Sequence, residues 1–155
     1  MINGYFDGLC EPQNPGGIST FGYIYVFDTK VIRGYGLAAP PWSSLSTNNV
    51  AEYMGLICLL KSMLSRNVRN AQIFGDSQLV IKQINGKYKI KAERILPLFN
   101  EAVSLKKNFD NISFIWVPRE MNSDADFLTR MAYRLAKENK LTVVGCYKEE
   151  ISSLP

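Results

Sequence analysis

Four acidic residues stand where a chain would place ligands for a hard cation. Asp7 follows the apolar stretch INGYF, and Asp76 follows AQIFG and precedes Ser77. Each is a carboxylate at the end of an inside strand, where burial without a partner is costly. Glu52 comes four residues after Asn48 in TNNVAEY, so the amides of Asn48 and Asn49 lie one helical turn from an acid. Asp124 and Asp126 both fall in the first turn of a segment that opens at Asn122 or Ser123, near the positive end of a helix dipole. Spacing alone leaves either of them as the inward one. Singly, such acids serve as turn formers, caps or exposed helix residues. Jointly they stand at strand ends and helix starts; ligands bind beyond the carboxyl ends of strands in an open α/β sheet, and Asp7 and Asp76 as neighbours there would repel unless a cation neutralises them.

Composition narrows the chemistry further. The 155 residues include no histidine, which excludes Ser-His-Asp and Cys-His catalysis. The three cysteines, Cys10, Cys58 and Cys146, are far apart and form no C-x-x-C pair, which argues against tetrahedral zinc. A metal would therefore be hard and oxygen-bound, Mg²⁺ or Mn²⁺. The net charge is +4, and it understates the basicity of the remaining surface if several acids are gathered in one place. The longest apolar runs, such as FGYIYVF, are too short to cross a bilayer. The start, MINGYFDG, lacks the basic residues and cleavage site of a secretory signal, so a cytoplasmic protein is the expectation.

The elements that must position these acids follow from periodicity. Strand-like runs cover residues 2–7, 18–27 and 31–39, with FDTK as a tight turn between the second and third. Val50, Tyr53, Met54, Ile57, Leu60 and Leu64 recur at helical spacing over 46–67, with Ser46 or Thr47 as cap. A short strand at 71–75 leads into a helix capped by Ser77 and reaching about Asn85. A second helix is expected from Ala92 or Glu93 to about Phe109, a strand at 112–117, and a last helix from Asn122 or Ser123 to about Asn139. The order β-β-β-α-β-α-α-β-α predicts one α/β domain over 1–139. Its sheet would be five-stranded and mixed, with three antiparallel strands, then parallel crossovers, and helices on both faces. The tail, 140–155, keeps Val143, Val144 and Cys146 and is expected to dock on the same domain.

Five segments, YFDG, NPGG (14–17), TNNVAEY, GDSQLVIKQING (75–86) and VPREMNSDADFL (117–128), together resemble the signatures of type 1 ribonuclease H, in that family's order and spacing. The resemblance covers roughly residues 1 to 136 and is closest to the compact form known from hyperthermophilic archaea. It implies the ribonuclease H-like fold and metal-dependent endonucleolytic hydrolysis of the RNA strand of RNA/DNA hybrids, leaving 5′-phosphate and 3′-hydroxyl ends. By the same likeness Asp7, Glu52, Asp76 and Asp126 match the four metal-binding acids, the A-D-x-L pattern choosing Asp126 over Asp124. Two Mg²⁺ ions, replaceable by Mn²⁺ and roughly 4 Å apart, would share Asp7. Asp126 would complete the site that activates water, and Glu52 and Asp76 the site facing the leaving oxygen.

The likeness also implies substrate contacts. Asn48 and Asn49 match amides that read a 2′-hydroxyl, which both donates and accepts, and Gln78 and the chain near Cys10 and Asn14 are expected to share that task. Thr47 matches a DNA-phosphate contact. Leu45 stands where the family usually has arginine, and Arg119 stands in the loop where it usually has histidine. Arginine is no base near neutral pH, so Arg119 is read as a substrate or product contact within the catalytic group. Lys87, Lys89 and Lys91 form a basic strip in place of a longer basic insertion. Trp42 and Trp116 are expected to be packing residues. A Cys58–Cys146 disulfide would pin the tail, in keeping with the disulfides of hyperthermophile proteins. A monomer is expected. The competing readings are a nuclease of this fold acting on DNA, a hybrid-binding module without chemistry, and an interaction domain.

Overall fold

A computed structural model describes residues 1–155, and the elements follow the anticipated order with one addition. Strands β1 (Ile2–Glu11), β2 (Ile18–Phe27) and β3 (Lys30–Leu37) form an antiparallel meander. The β2–β3 turn is two residues long, and Asp28 and Thr29 both take positive φ (49° and 66°), the pattern whose twist matches paired strands. Helix α1 (Asn48–Ser65) crosses to β4 (Asn70–Gly75), which lies parallel to β1. Helices α2 (Gln78–Ile84) and α3 (Leu96–Lys106) lead to β5 (Asn111–Trp116), parallel to β4. Helix α4 (Ser123–Lys137) follows a single 3-10 turn at Arg119–Met121.

Alternation along β2 divides the core. Phe21, Tyr23 and Tyr25 join Phe6 and Ile73 beneath α1, whose residues are buried on nearly every side because α3 covers its back. On the opposite face Leu128, Ala132 and Leu141 pack with Ile18, Tyr35 and Leu37 beneath α4. Thr47, rather than Ser46, caps α1 by accepting from the Val50 N–H at 3.1 Å. Ser46 is buried instead against the Gly17 carbonyl and the Ser19 hydroxyl. Helix α3 starts four residues later than Ala92, with Pro97 in its first turn, where a missing N–H is harmless. No helix is long and apolar enough to cross a membrane.

The sheet has six strands, not five, in the order β5-β4-β1-β2-β3-β6. Strand β6 (Lys148–Ser153) pairs antiparallel with β3, with Gly34 opposite Glu149. All six of its residues are exposed, so no apolar alternation announces it. Polar contacts hold it in place. The Tyr23 ring lies across Gly34, where a Cβ would come within 2.0 Å of it, and its hydroxyl donates to Glu149 at 2.7 Å. Arg66 reaches the same carboxylate at 2.7 Å, and Ser62 donates to it as well. Burial pushes the Glu149 carboxyl up, but these donors outweigh it and hold it below the usual range. Cys58 and Cys146 form a disulfide, Cα–Cα 5.5 Å, across 88 residues of sequence.

Closing so long a loop contributes about 4.5 kcal/mol in the chain-entropy account. Cys146→Ser is therefore expected to lower Tm by roughly 6–15 °C, for a realised loss of about 2–4 kcal/mol. Reductant should bring the wild type to the same value in a calorimetric scan. An unchanged Tm would show that the Glu149 contacts alone hold the tail.

Candidate active site

The site lies where a parallel strand pair splits. Register between β1 and β4 ends at Tyr5 opposite Phe74, and the chains then diverge, releasing Asp7 and Asp76 at the same end of the sheet. This is the crevice that open α/β sheets use for ligands. Glu52 is brought there by a close approach of helix to strand. A Cβ on Gly8 would lie 2.3 Å from the Glu52 backbone nitrogen, so only glycine lets the second turn of α1 rest on β1. On the other face a Cβ on Gly22, which pairs with Asp7, would lie 2.6 Å from the Leu128 Cβ and 2.8 Å from the Ala125 carbonyl. Two glycines thus admit a helix against each side of the same point in the sheet.

Carboxylate oxygens of Asp7, Glu52 and Asp76 all lie within 4.8 Å of one another. Asp7 and Glu52 are only 5% and 3% exposed. Asp7 accepts from the Gly8 N–H at 2.9 Å, while Glu52 Oε2 is buried with no hydrogen-bond partner. Burial, reinforced by the Asp76 charge, pushes the Asp7 carboxyl up to about 7. Burial and then the charges of Asp7 and Asp76 push Glu52 well above the ordinary range. Burial raises Asp76 too, with Asn122 and the Arg119 charge pulling the other way. Three acids in this state need protons or a cation. An all-oxygen donor set with an unpartnered buried oxygen fits a hard divalent ion.

Asp126 lines the same cleft, of about 350 Å³, together with Asn48, Ser77, Arg119 and Arg130, but it stands outside the group of three acids. Its carboxylate accepts from Arg130 Nε at 3.2 Å. Asp124 faces a separate hollow with Tyr5 and Met121, so of the two it is Asp126 that lines this cleft. The start of α4 is fixed by Asn122, whose Nδ2 donates to the Phe6 carbonyl at 2.9 Å, one residue before Asp7. Asn122 is the helix's first flanking residue, yet its side chain makes no cap bond. It holds strand and helix together instead.

The expected substrate residues divide between two hollows. Asn48 and Cys10 line the acid cleft. Asn49 lines a second one, of about 560 Å³, with Lys87, Lys89, Lys91, Leu79 and Tyr88. The first turn of α1 therefore separates the two. Asn14 Oδ1 accepts from the Asn48 N–H at 3.0 Å, and the Cys10 thiol donates to the Gln13 and Ser46 carbonyls. Thr47 is buried and occupied as a cap, and Gln78 is exposed at the start of α2. Leu45 is 48% exposed, and Arg94 reaches the neighbouring Ser44 carbonyl at 3.1 Å.

The tryptophans are not packing residues. Trp42 is 61% and Trp116 43% exposed, and Trp116 Nε1 donates to the Asp76 carbonyl at 3.1 Å. Sequence reasoning did not single out Gly8, Glu11 or Arg130, and it took Asn122 only as a helix start. Only Arg130 had a readable signal, its i,i+4 spacing from Asp126.

Residues 6–132 match the family described as reverse transcriptase-like. A solved ribonuclease H1 from the halophilic archaeon Halobacterium salinarum is 30% identical, with TM-score 0.75 over 86% of this chain and 97% of that one. The chain belongs to the type 1 ribonuclease H family. The N-terminal ribonuclease H domain of Rv2228c from Mycobacterium tuberculosis superposes with TM-score 0.79 at 29% identity, over 89% of this chain and 96% of that one. In sequence, the bifunctional protein Rv2228c is 38% identical over 126 residues, which is 81% of this chain and 34% of that protein. The chain thus spans about a third of the length of that mycobacterial relative. LC11-RNase H1, solved in complex with an RNA/DNA hybrid, is 25% identical with TM-score 0.76, over 88% of this chain and 99% of that one.

Two outcomes follow from the buried acids. Their native pKa values are raised, so the folded state binds more protons than the unfolded chain between about pH 4 and 7. Without cation, stability is therefore greatest below about pH 4 as far as these groups act, and falls as pH rises through about 7. Added Mg²⁺ or Mn²⁺ should raise Tm by an amount that grows across this window and then levels. Asp7→Asn should raise the cation-free Tm at pH 8 by roughly 3–10 °C, for about 1–3 kcal/mol, and remove most of the cation effect. A cation effect that is flat from pH 4 to 8 would contradict the assignment. Gly8→Ala tests the helix approach separately, and should lose cation-induced stabilisation even if it folds.

Proposed function

We propose that this protein is an endonuclease that hydrolyses the RNA strand of RNA/DNA hybrids, using two divalent cations and leaving 5′-phosphate and 3′-hydroxyl ends. The observation that carries the reading is the convergence of Asp7, Glu52 and Asp76, with Asp126 on the facing helix, in a cleft flanked by amide and basic side chains. The family membership and the hybrid-bound neighbour support the substrate class.

Asp7, Glu52 and Asp76 would hold one cation and Asp7 with Asp126 the other, Mg²⁺ being the natural choice for hard oxygen donors. When bound, such ions supply charge to the transition state and an acidified water. The protein's own part is largely positional. Glu52 is buried and cannot swing away, so the cluster is preorganised before substrate arrives. Asn48 and Asn49 present amides to either side of the α1 terminus, where one strand's 2′-hydroxyl groups would be read across a minor groove. Lys87, Lys89 and Lys91 face the second hollow and would hold the other strand's phosphates. Arg119, which already acts on Asp76 through its charge, would hold a phosphate oxygen beside the acids.

The test is cleavage of a labelled RNA/DNA hybrid in Mg²⁺, beside the matching DNA duplex. The RNA strand should be cut and the DNA duplex spared, with EDTA abolishing the reaction and Asp76→Asn reducing kcat by roughly 10³-fold or more. Tight hybrid binding without cleavage in either Mg²⁺ or Mn²⁺ would favour a binding module.

A further inference from the structure

Arg130 occupies a place in the cleft that the mechanism above leaves unused. It lies one helical turn beyond Asp126 on α4, with Nε 3.2 Å from Asp126 Oδ2 and Nη1 3.9 Å from Glu11 Oε1 at the end of β1. The guanidinium therefore spans the cleft mouth from helix to strand. Asp126 is the one acid of the four that stands apart from the buried group, and it is also the one with a full cationic partner. Glu52 has none, and Asp7 and Asp76 feel Arg130 and Arg119 only through their charge. A guanidinium on a carboxylate occupies the lone pairs that a metal ion needs. The two compete for Oδ2, the oxygen that Arg130 Nε contacts at 3.2 Å.

We propose that Arg130 is the resident counter-ion of Asp126, displaced when a divalent cation binds there, and that a phosphate of the bound hybrid then takes the guanidinium. The proposal rests on the nuclease reading for the identity of the phosphate, but the competition itself does not. Its logic is linkage: whatever draws Arg130 off Asp126 raises cation affinity at that carboxylate, and the cation raises affinity for the phosphate by the same factor. Glu11, 3.9 Å from Nη1, leaves the displaced side chain a carboxylate to face at the cleft mouth. Arg130 thus acts through Asp126 in the free protein and through a substrate phosphate in the complex. The nucleic-acid-free protein would hold one cation tightly, on Asp7, Glu52 and Asp76, and a second only weakly.

The experiment is a Mn²⁺ titration followed by calorimetry and by electron paramagnetic resonance of the free ion. It is carried out at fixed ionic strength without nucleic acid, on the wild type, Arg130→Gln, Arg130→Lys and Arg130→Gln with Asp126→Asn. The weak Mn²⁺ should bind Arg130→Gln about two- to fivefold more tightly than wild type, the range expected for releasing a half-exposed ion pair. Arg130→Lys should fall between them, the tight Mn²⁺ should change less than the weak one in all, and the double variant should lack the weak site. Equal or weaker affinity in a folded Arg130→Gln, or a gain that survives Asp126→Asn, would overturn the proposal. With hybrid present, Arg130→Gln should raise KM more than it lowers kcat; a KM unchanged would refute the phosphate half. Because the titration contains no nucleic acid, a wild type that left hybrids uncut would sink the nuclease reading without touching this result.

Discussion

The structure depends on one steric fact, the absence of a side chain at Gly8. Because no Cβ intervenes, the backbone of α1 rests on β1 at the point where Glu52 must meet Asp7. That contact buries two carboxylates, and burial is what raises their proton affinity and leaves one Glu52 oxygen without a partner. The fold stores an electrostatic cost at this point that a divalent cation can remove. Hydrophobic contacts made elsewhere by α1, whose length is almost entirely buried, hold the helix against that repulsion.

The opposite face of the sheet solves a different problem. There Gly22 admits α4 and Asn122 ties its start to the Phe6 carbonyl, so Asp126 arrives at the cleft from a separate layer. Its carboxylate is less buried than Asp7 or Glu52 and is shared with Arg130. The four acids are therefore not equivalent. Three converge, Asp7 and Glu52 buried and Asp76 half-buried, and the fourth, on an amphipathic helix, is paired with a cation. Such a division suits a site that must hold one charge permanently and accept another transiently.

Much of this was legible in the sequence because strand ends and helix starts leave clear marks. An acid directly after an apolar run located Asp7 and Asp76, and the helix between them followed from its 3.6-residue period. The disulfide partners were nameable only as a hypothesis joining a helix cysteine to a tail cysteine, since no spacing rule joins cysteines 88 residues apart. Strand β6 escaped notice because KEEISS has no buried face; backbone pairing to β3 and the polar contacts of Glu149 place it, and neither leaves an apolar pattern. The tryptophans were misread for a related reason. An aromatic residue in an apolar context suggests packing, whereas Trp116 is at the last position of β5 and Trp42 is in a loop with φ of 67°. Asn122 looked like a cap and proved to be a bridge between layers.

The disulfide has a consequence for chain connectivity that its thermodynamic role does not convey. Cys58 and Cys146 enclose the β4, α2, α3, β5 and α4 segments in one covalent ring. The exposed lysine segment around 87–91 lies inside that ring and offers proteases an accessible target. A single cut there opens the ring without dividing the molecule. The N-terminal piece keeps Asp7, Glu52 and Asp76, the C-terminal piece keeps Asp126, and one sulfur–sulfur bond still joins them. The nicked protein would retain all four acids in one covalent body, a tolerance of damage that a linear chain of the same fold lacks.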